Sequence, residues 1–467
     1  MRVRFFGHYV YLPLAALMLA EALLFFASPF LASMIRLGPL FDEPGTINAP
    51  LWVPALAFSL MTLLCFAALG LYTPRQRAGF WGVALRIFLS MIAALALLAL
   101  LFYVFPQLEV GRGIIGLTLL IAALASIVVR QLFWRLIDTQ AMKKRVLVYG
   151  QSEQMSALLR MRRRSDRAGF RLVGVVHSPG DMATPMGERV LEAPDGLRSL
   201  CAQLDIDEVV VALRDRRQVL PVQELLQCKF AGIPVVEFIT FMERETGCIR
   251  LDMLNPSWMI FGNGFRQGGA RRFSARAVDF LASGALTIIA SPVMLLTILA
   301  IWLEDGRKGG PIFYRQERVG FGGRTFQLIK FRSMRPNAEN PGEARWAQKN
   351  DPRITRVGSL LRITRIDELP QLLNVLQGKM SFVGPRPERP QFVRELEEKI
   401  PFYGYRHSVK PGITGWAQLC YPYGSSVEDA RRKLQYDLFY IKNNTLWLDL
   451  TILLQTVEVV FMGKGAR

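Results

Sequence analysis

The sequence predicts a membrane protein in three parts: an α-helical N-terminal bundle, an α/β Rossmann-like middle domain, and an α+β C-terminal domain with a re-entrant membrane helix. Three observations carry this. Four apolar stretches, roughly 10–32, 52–72, 83–105 and 114–134, crowd the first third of the 467 residues. From Arg145, short β-rich runs alternate with helical ones. A fifth apolar stretch, 277–303, has basic residues on both sides. The bundle is therefore assigned to 1–140, the middle domain to 145–245 and the C-terminal domain to 272–467, with its membrane helix at 277–303.

Each of the first four stretches is about long enough to cross a hydrocarbon core of ~30 Å as a helix. The first is too long, and too closely followed by others, for a cleaved signal peptide. Loop charge sets the orientation. Arg2 and Arg4 precede the first stretch, Arg75 and Arg77 lie between the second and third, and Arg130, Arg135 and Lys143-Lys144-Arg145 end the fourth. The intervening loops, near 33–51 and 106–113, carry only Arg36 and Arg112 as cations. By the positive-inside rule both ends of the bundle face the cytoplasm. Glu21 falls inside the first stretch. An acid there is either a proton or lipid site or a bundle-facing side chain paired with a neighbour.

The fifth stretch is long enough to span, but its flanks argue otherwise. Arg271, Arg272 and Arg276 precede it, and Arg307 and Lys308 follow. Both flanks read as cytoplasmic. Ser291-Pro292 sits in the middle. Proline removes a helical hydrogen bond, and a nearby serine can take the freed carbonyl. A helix that breaks at Ser291 and Pro292, enters one leaflet and returns satisfies both observations. An ordinary kinked transmembrane helix would put the basic C-terminal domain outside the cell.

In the middle domain, 145–150, 169–176, 208–213 and 233–238 read as strands, separated by helical segments near 152–163, 194–203 and 217–229. Such alternation implies a parallel, doubly wound sheet. The first turn is Gly150-Gln151-Ser152-Glu153-Gln154. A dinucleotide site needs G-x-G-x-x-G there. Only Gly150 remains, so a structural, regulatory or oligomerising module is expected.

Net charge is +19, from 57 Lys and Arg against 38 Asp and Glu, which calls for an anionic partner such as a phosphorylated substrate or anionic lipid. The apolar segments speak against nucleic acid as that partner. Cys65, Cys201, Cys228, Cys248 and Cys420 are scattered without a CxxC spacing, and the three histidines are dispersed. A zinc site or a histidine-based triad is not expected.

The chemistry concentrates after Arg272. "GPIFYRQERVGFGGRTFQLIKFRSM" (310–334) reads as β-rich with glycine turns, and places Lys330, Arg332 and Arg335 close together. "RIDELPQLLNVLQGKMSFVGPRPE" (365–388) puts Asp367 and Glu368 side by side before Pro370, an apolar face of Leu372, Leu373 and Leu376, and Gly378. Acids in a first turn, a proline and a closing glycine also describe an ordinary helix. The surroundings add Arg362 and Arg365 before the acids and Arg386 between Pro385 and Pro387 after them. Arginine is a bidentate phosphate ligand, and carboxylates mixed with arginines suit Mg²⁺-dependent chemistry on phosphates. A carboxylate can also attack phosphorus directly. After Lys442, Trp447, Leu448, Leu450, Ile452, Leu453 and Leu454 form a segment that lies on the membrane or packs on the domain.

These motifs, with "KPGITGWAQ" (410–418) and "YDLFYIKNNTLWLDLTILLQT" (436–456), resemble the bacterial polyprenyl-phosphate hexose-1-phosphate transferases, the monotopic phosphoglycosyl transferase superfamily. The chain as a whole is similar to the long form, the exopolysaccharide-priming sugar transferases. The resemblance implies transfer of a sugar-1-phosphate from a UDP-sugar to undecaprenyl phosphate, releasing UMP, at the cytoplasmic face of the bacterial inner membrane. It implies that Asp367 is the nucleophile and that Glu368 helps hold Mg²⁺ or positions the dyad, both carboxylates lying at the metal. It implies phosphate binding by Arg362 and Arg386, and a nucleotide site shaped by Pro385 and Pro387. Lys330 and Arg332 are expected on substrate phosphate through their charge. Ser291 and Pro292 match the break in the re-entrant helix.

Two rival readings remain at this point. One is a membrane glycosyltransferase that moves the sugar alone and releases UDP. The other is a non-catalytic regulator that senses lipid or nucleotide. A homodimer through the bundle or the middle domain is one arrangement the sequence allows.

Overall fold

The computed structural model describes residues 2–5, 8–38, 50–72, 80–136, 143–150, 169–177, 190–213, 220–254, 259–260, 264–265, 268–304, 310–335, 353–421, 424 and 426–461. The chain divides into two compact units, Met1–Phe241 and Met242–Arg467.

The first unit opens with a hairpin, β1 (Arg2–Phe5) and β2 (His8–Tyr11), that leads directly into α1 (Leu12–Leu37). Then follow α2 (Trp52–Ala68), α3 (Phe80–Val104) and α4 (Arg112–Leu136). α1, α3 and α4 are long and apolar enough to cross a membrane; α2 has 17 residues, ~26 Å of helix. α2 stops where Leu71 N–H turns back to Phe66 O (2.9 Å) around Gly70 at φ +72°. α1 packs on α2 and α4, and Phe25, Phe58, Phe66 and Ile87 form the interior. The outside is apolar too: Leu19, Leu23, Leu60, Leu64, Leu100 and Val128 are exposed. Such a surface needs lipid against it.

Glu21 is fully buried and paired, as the structural alternative had it. Its carboxylate takes Arg130 Nε (2.7 Å) and Nη2 (2.8 Å), Ser126 Oγ (2.6 Å) and Tyr72 Oη (2.6 Å). Arg130 also donates to Leu71 O (2.9 Å) and lies over the Tyr72 ring. This corrects one reading: Arg130 is an interior partner of Glu21 rather than a loop charge that sets orientation. Ser126 and Arg130, four apart on one face of α4, were the visible signal. Arg75, Arg77, Arg307 and Lys308 lie outside the described residues.

The middle sheet is parallel throughout, in the order β5 (Val190–Leu191), β4 (Phe170–Val176), β3 (Lys144–Tyr149), β6 (Glu208–Val211) and β7 (Val235–Glu237). This outward growth from a central first strand is the doubly wound order. α5 (Leu197–Gln203) and α6 (Val222–Phe230) pack on it through Leu197, Cys201, Leu225 and Cys228. β3 and β6 are buried on both faces and therefore read as continuous valine-rich runs. Gly150 takes φ +89° after β3. The turn from Gln151 and the helix expected near 152–163 fall outside the described residues.

The last strand runs straight into α7 (Phe238–Thr246), whose end begins the second unit. There Ile249 and Leu251 join the main core with Val383, Trp416, Leu438 and Ile452, and Trp416 Nε1 donates to Gly247 O (2.7 Å). The packing of this half thus begins before residue 272, where the sequence motifs begin. α8 (Gly269–Glu304) is one continuous helix through Ser291-Pro292, so the break expected at these two residues is absent. Pro292 cannot bond the carbonyl of Ile288, and Ser291 Oγ donates to that oxygen instead (2.7 Å). Both ends of α8 dock on the same unit. Arg276 donates to Val375 O (2.7 Å) and Leu376 O (2.6 Å), and Ile301 packs with Phe331 and Leu361. The C-terminal helix, Leu446–Phe461, packs Ile452 into the core and leaves Leu446, Trp447 and Leu450 exposed.

The buried Glu21–Arg130 pair makes a definite prediction. Glu21→Ala leaves a guanidinium uncompensated and should destabilise the bundle by about 3–5 kcal/mol. The double variant Glu21→Ala/Arg130→Met should recover most of that loss. Thermal unfolding of the detergent-solubilised chain checks both.

Candidate active site

The site is assembled from four pieces of the second unit. The first is the hairpin β8 (Phe313–Val319) and β9 (Thr325–Phe331), paired antiparallel with Tyr314 opposite Lys330. Its turn uses Gly322 and Gly323 at φ +65° and +76°, a conformation that favours glycine. The hairpin is fixed by Asn374, a fully buried side chain. Ile329 N–H donates to Asn374 Oδ1 (3.0 Å), and Asn374 Nδ2 donates to Gln327 O (2.9 Å). This clamp presents Lys330 to the acids.

The second piece is α9 (Arg356–Thr364), started by Thr355, whose hydroxyl accepts from Gly358 N–H (2.9 Å). It ends at Arg365, which adopts φ +58°. A non-glycine residue there is uncommon, and the turn it makes re-aims the chain into Ile366–Glu368. The third piece is therefore a tight turn holding both acids, followed by α10 (Gln371–Leu376) and closed by Gly378 at φ +75°. The sequence placed the acids in the first turn of that helix. They stand instead in a separate turn before it, because Arg365 breaks the direction and Pro370 restarts it.

The fourth piece is Pro385-Arg386-Pro387, after β10 (Ser381–Val383). Two of its three residues lack an N–H, so the segment is held by its carbonyls. Gly412 N–H donates to Pro385 O (3.0 Å), Arg406 Nη2 to Arg386 O (3.0 Å) and Arg318 Nη1 to Pro387 O (3.0 Å). Arg406 is itself fixed by an ion pair with Asp437 (3.0 Å) and a bond to the Tyr403 hydroxyl. The Arg386 guanidinium is left to reach Glu368.

Glu368 Oε1 receives Lys330 Nζ (2.9 Å) and Arg386 Nη2 (3.2 Å). Asp367 is 9% exposed, and its carboxylate accepts no hydrogen bond among the described residues. The two neighbours titrate in opposite directions. Burial raises Glu368, but Arg386 and Lys330 outweigh it and hold the carboxyl well below its usual range. Burial raises Asp367 above its usual 3.8; Lys330, Arg362 and Arg386 pull it down and Glu368 pushes it up, leaving it raised. Burial lowers Lys330, with Glu368 opposing. Divergent environments on paired carboxylates are the usual mark of divided roles.

The structure therefore brings Asp367, Glu368, Lys330 and Arg386 together. Arg362 acts on the charge of Asp367, and its buried Nη1 has no hydrogen-bond partner among the described residues. Arg332 is drawn elsewhere, buried against Gly310, where any side chain on that glycine would overlap its guanidinium. Pro385 and Pro387 flank Arg386 as anchors. Ser291 and Pro292 belong to α8. Sequence reading missed Arg318, Arg406, Asp437 and Asn374, which hold the parts in place. Asn374 alone left a local trace, a polar residue inside the apolar run Leu372–Leu376.

A Mg²⁺ ion takes oxygen ligands and is commonly held by one or two carboxylates together with substrate phosphates. Among the described residues no cluster of three or more acid, histidine or cysteine side chains gathers anywhere. The free carboxylate of Asp367 beside Glu368 fits that two-carboxylate mode, with the remaining positions open to phosphate and water.

Comparison with known proteins places this arrangement. Residues 270–463 match the family described as bacterial sugar transferase, and residues 67–236 match one described as a CoA-binding domain. The chain is 41% identical over 280 residues to a UDP-N-acetylgalactosamine-undecaprenyl-phosphate N-acetylgalactosaminephosphotransferase of Aeromonas hydrophila, across 60% of this chain and 63% of that one. It is 33% identical over 448 residues to a UDP-glucose:undecaprenyl-phosphate glucose-1-phosphate transferase of Xanthomonas campestris pv. campestris, across 89% of both chains. A transferase of the same description from Escherichia coli (strain K12) is 33% identical over 335 residues, 69% of each. With near full-length similarity to one relative and all four pieces of the site inside residues 270–463, the chain belongs to the bacterial sugar transferase family.

Proposed function

We propose that this chain transfers a sugar-1-phosphate from a UDP-sugar to undecaprenyl phosphate and releases UMP, priming an exopolysaccharide or another surface glycan. The observation that carries the reading is the pair of adjacent carboxylates in opposite states. Glu368 is clamped by two cations, while buried Asp367 keeps its oxygens free. The relatives' activities supply the substrates.

Asp367 attacks the sugar-linked phosphorus of the donor. A bond forms between its carboxylate oxygen and phosphorus, the anhydride bond breaks, and UMP leaves with the electron pair. A phosphate oxygen of undecaprenyl phosphate then attacks the same phosphorus, the acyl-phosphate bond breaks, and free Asp367 returns. The covalent stage lets a soluble donor and a long lipid use one site in turn. Mg²⁺, held by Asp367 and Glu368 with the donor phosphates, would supply charge neutralisation. Arg386, Lys330 and Arg362 offset charge on the transferred group. Lys330 and Arg386 also keep Glu368 ionised. One anhydride replaces another, so the reaction runs near thermoneutral.

The site belongs at the headgroup level on the cytoplasmic face of the inner membrane. Charge on both flanks of α8 supports a re-entrant path. So does its docking. About 25 residues separate Arg276 from Ile301, ~38 Å if straight. The surfaces they meet are bridged by β9, where Leu328 packs with Val375 and Phe331 with Ile301, only ~10 Å of strand. A helix bent near Pro292 reaches both.

The purified chain, given Mg²⁺, undecaprenyl phosphate and a panel of UDP-sugars, should release UMP with its donor. Release of UDP would mean that sugar alone moves and would overturn the reading. Asp367→Asn should lower turnover at least ~10³-fold, while thermal stability stays equal or rises. The stability sign follows from the raised carboxyl: burying its charged form costs free energy at neutral pH, and the amide removes that cost. The acid limb of kcat/KM should lie above the 3.8 of an ordinary aspartate, because Asp367 protonates early on the way down, and Glu368, held low, should add no limb.

A further inference from the structure

A second basic site lies in the C-terminal unit, apart from the two acids. A cavity of about 220 Å³ opens beside the first turns of α8, lined by Arg271, Arg272, Arg276 and Lys410 with Asp279 and Asp449. Asp367, Glu368, Lys330 and Arg386 do not line it. Arg276 ties the cavity to the C-terminal end of α10, whereas the acids precede its N-terminus. Eight residue steps, about 12 Å of helical rise, lead from Glu368 to Leu376.

The acids of this cavity are occupied, and so is Arg276; Arg271 is satisfied only in part. Asp279 Oδ1 accepts from Ser381 Oγ (3.0 Å) and Phe382 N–H (3.1 Å). Asp449 accepts from Arg271 and from the Tyr440 hydroxyl. Arg271 uses one nitrogen for Asp449 and Asn444, and its Nε and Nη1 are buried without a hydrogen bond among the described residues. Neither the ammonium of Lys410 nor the guanidinium of Arg272 meets a hydrogen-bond or ion-pair partner among the described residues. Burial, reinforced by the positive charge of Arg276 and opposed by Asp279, lowers Lys410. The two buried nitrogens of Arg271, beside half-buried Lys410 and exposed Arg272, call for an anion with several acceptor oxygens.

The apolar surroundings specify the rest of the ligand. Val278, Phe280 and Leu281, immediately along α8, are exposed, as is Phe321 on the cavity wall. Polar cavity and greasy helix face meet at one border. We propose that this cavity holds the phosphate of a membrane lipid, with its acyl chains along α8, at a site distinct from the Asp367–Glu368 centre. Arg272 and Lys410 supply the free charge, and the buried nitrogens of Arg271 supply direction. A bound lipid phosphate here fastens the start of α8 to the headgroup layer.

The test is a thermal-shift titration of the full chain in detergent. Dioctanoyl-phosphatidylglycerol should raise Tm saturably. Dioctanoylglycerol, with the same tails and no phosphate, should not. Inorganic phosphate should act only at far higher concentration. Lys410→Met and Arg272→Ala should each move the phosphatidylglycerol midpoint about tenfold, Lys410→Arg should restore it, and UMP release should persist in all three. Equal response to dioctanoylglycerol, or an unmoved midpoint in the charge-removing variants, would overturn the phosphate contact. Inorganic phosphate as effective as the lipid would overturn the lipid assignment.

Discussion

The C-terminal unit is organised around the cost of burying two adjacent negative charges. A carboxylate out of water must be paired or neutralised. Here one is paired and the other is left open. Glu368 is paid for by Lys330 and Arg386, which come from a hairpin and a loop far apart in sequence. Asp367 has only their more distant field and that of Arg362. Most of the local structure follows from delivering those cations. Asn374 locks the hairpin that carries Lys330, the left-handed Arg365 turns the acids inward, and three donors fix the carbonyls around Arg386.

The same rule governs the membrane part, with the opposite result. Glu21 has every oxygen occupied by Arg130, Ser126 and Tyr72. Nothing there is free to react, and the cluster ties α1 to α4 and to the chain after α2. An acid in a membrane helix is often a functional signal. Its partners decide, and in this chain they make it a joint. Glu21 and Asp367 are both buried and differ in hydrogen bonding: every oxygen of the first is bonded, and those of the second, the proposed nucleophile, are not among the described residues.

Much of this was legible from the sequence, for physical reasons that differ by region. Apolar runs declare helices in lipid because hydropathy alone decides insertion. The runs 145–150 and 208–213 declared buried parallel strands because both faces are covered. The acids and Arg386 were legible because they sit in one short segment. What escaped is long-range. Arg318, Arg406 and Asp437 are separated from Pro385–Pro387 by tens of residues, and only folding makes them neighbours. Lys330 and Arg332 looked equivalent as a basic cluster, yet Lys330 contacts Glu368 while Arg332 is buried against Gly310. A cluster of cations in sequence does not say which side chain points where. The second unit's start was also hidden, since Ile249 and Leu251 carry no motif and join the core by packing alone.

The central claim is that Asp367 becomes covalently attached to the transferred phosphate. Its most direct measurement is mass spectrometry of peptides from the chain after incubation with donor and Mg²⁺ in the absence of undecaprenyl phosphate. The account predicts a sugar-phosphate adduct on the peptide containing Asp367, one equivalent of UMP, and loss of both in Asp367→Asn. UMP that appears only when the lipid acceptor is present, with no adduct on that peptide, would contradict it.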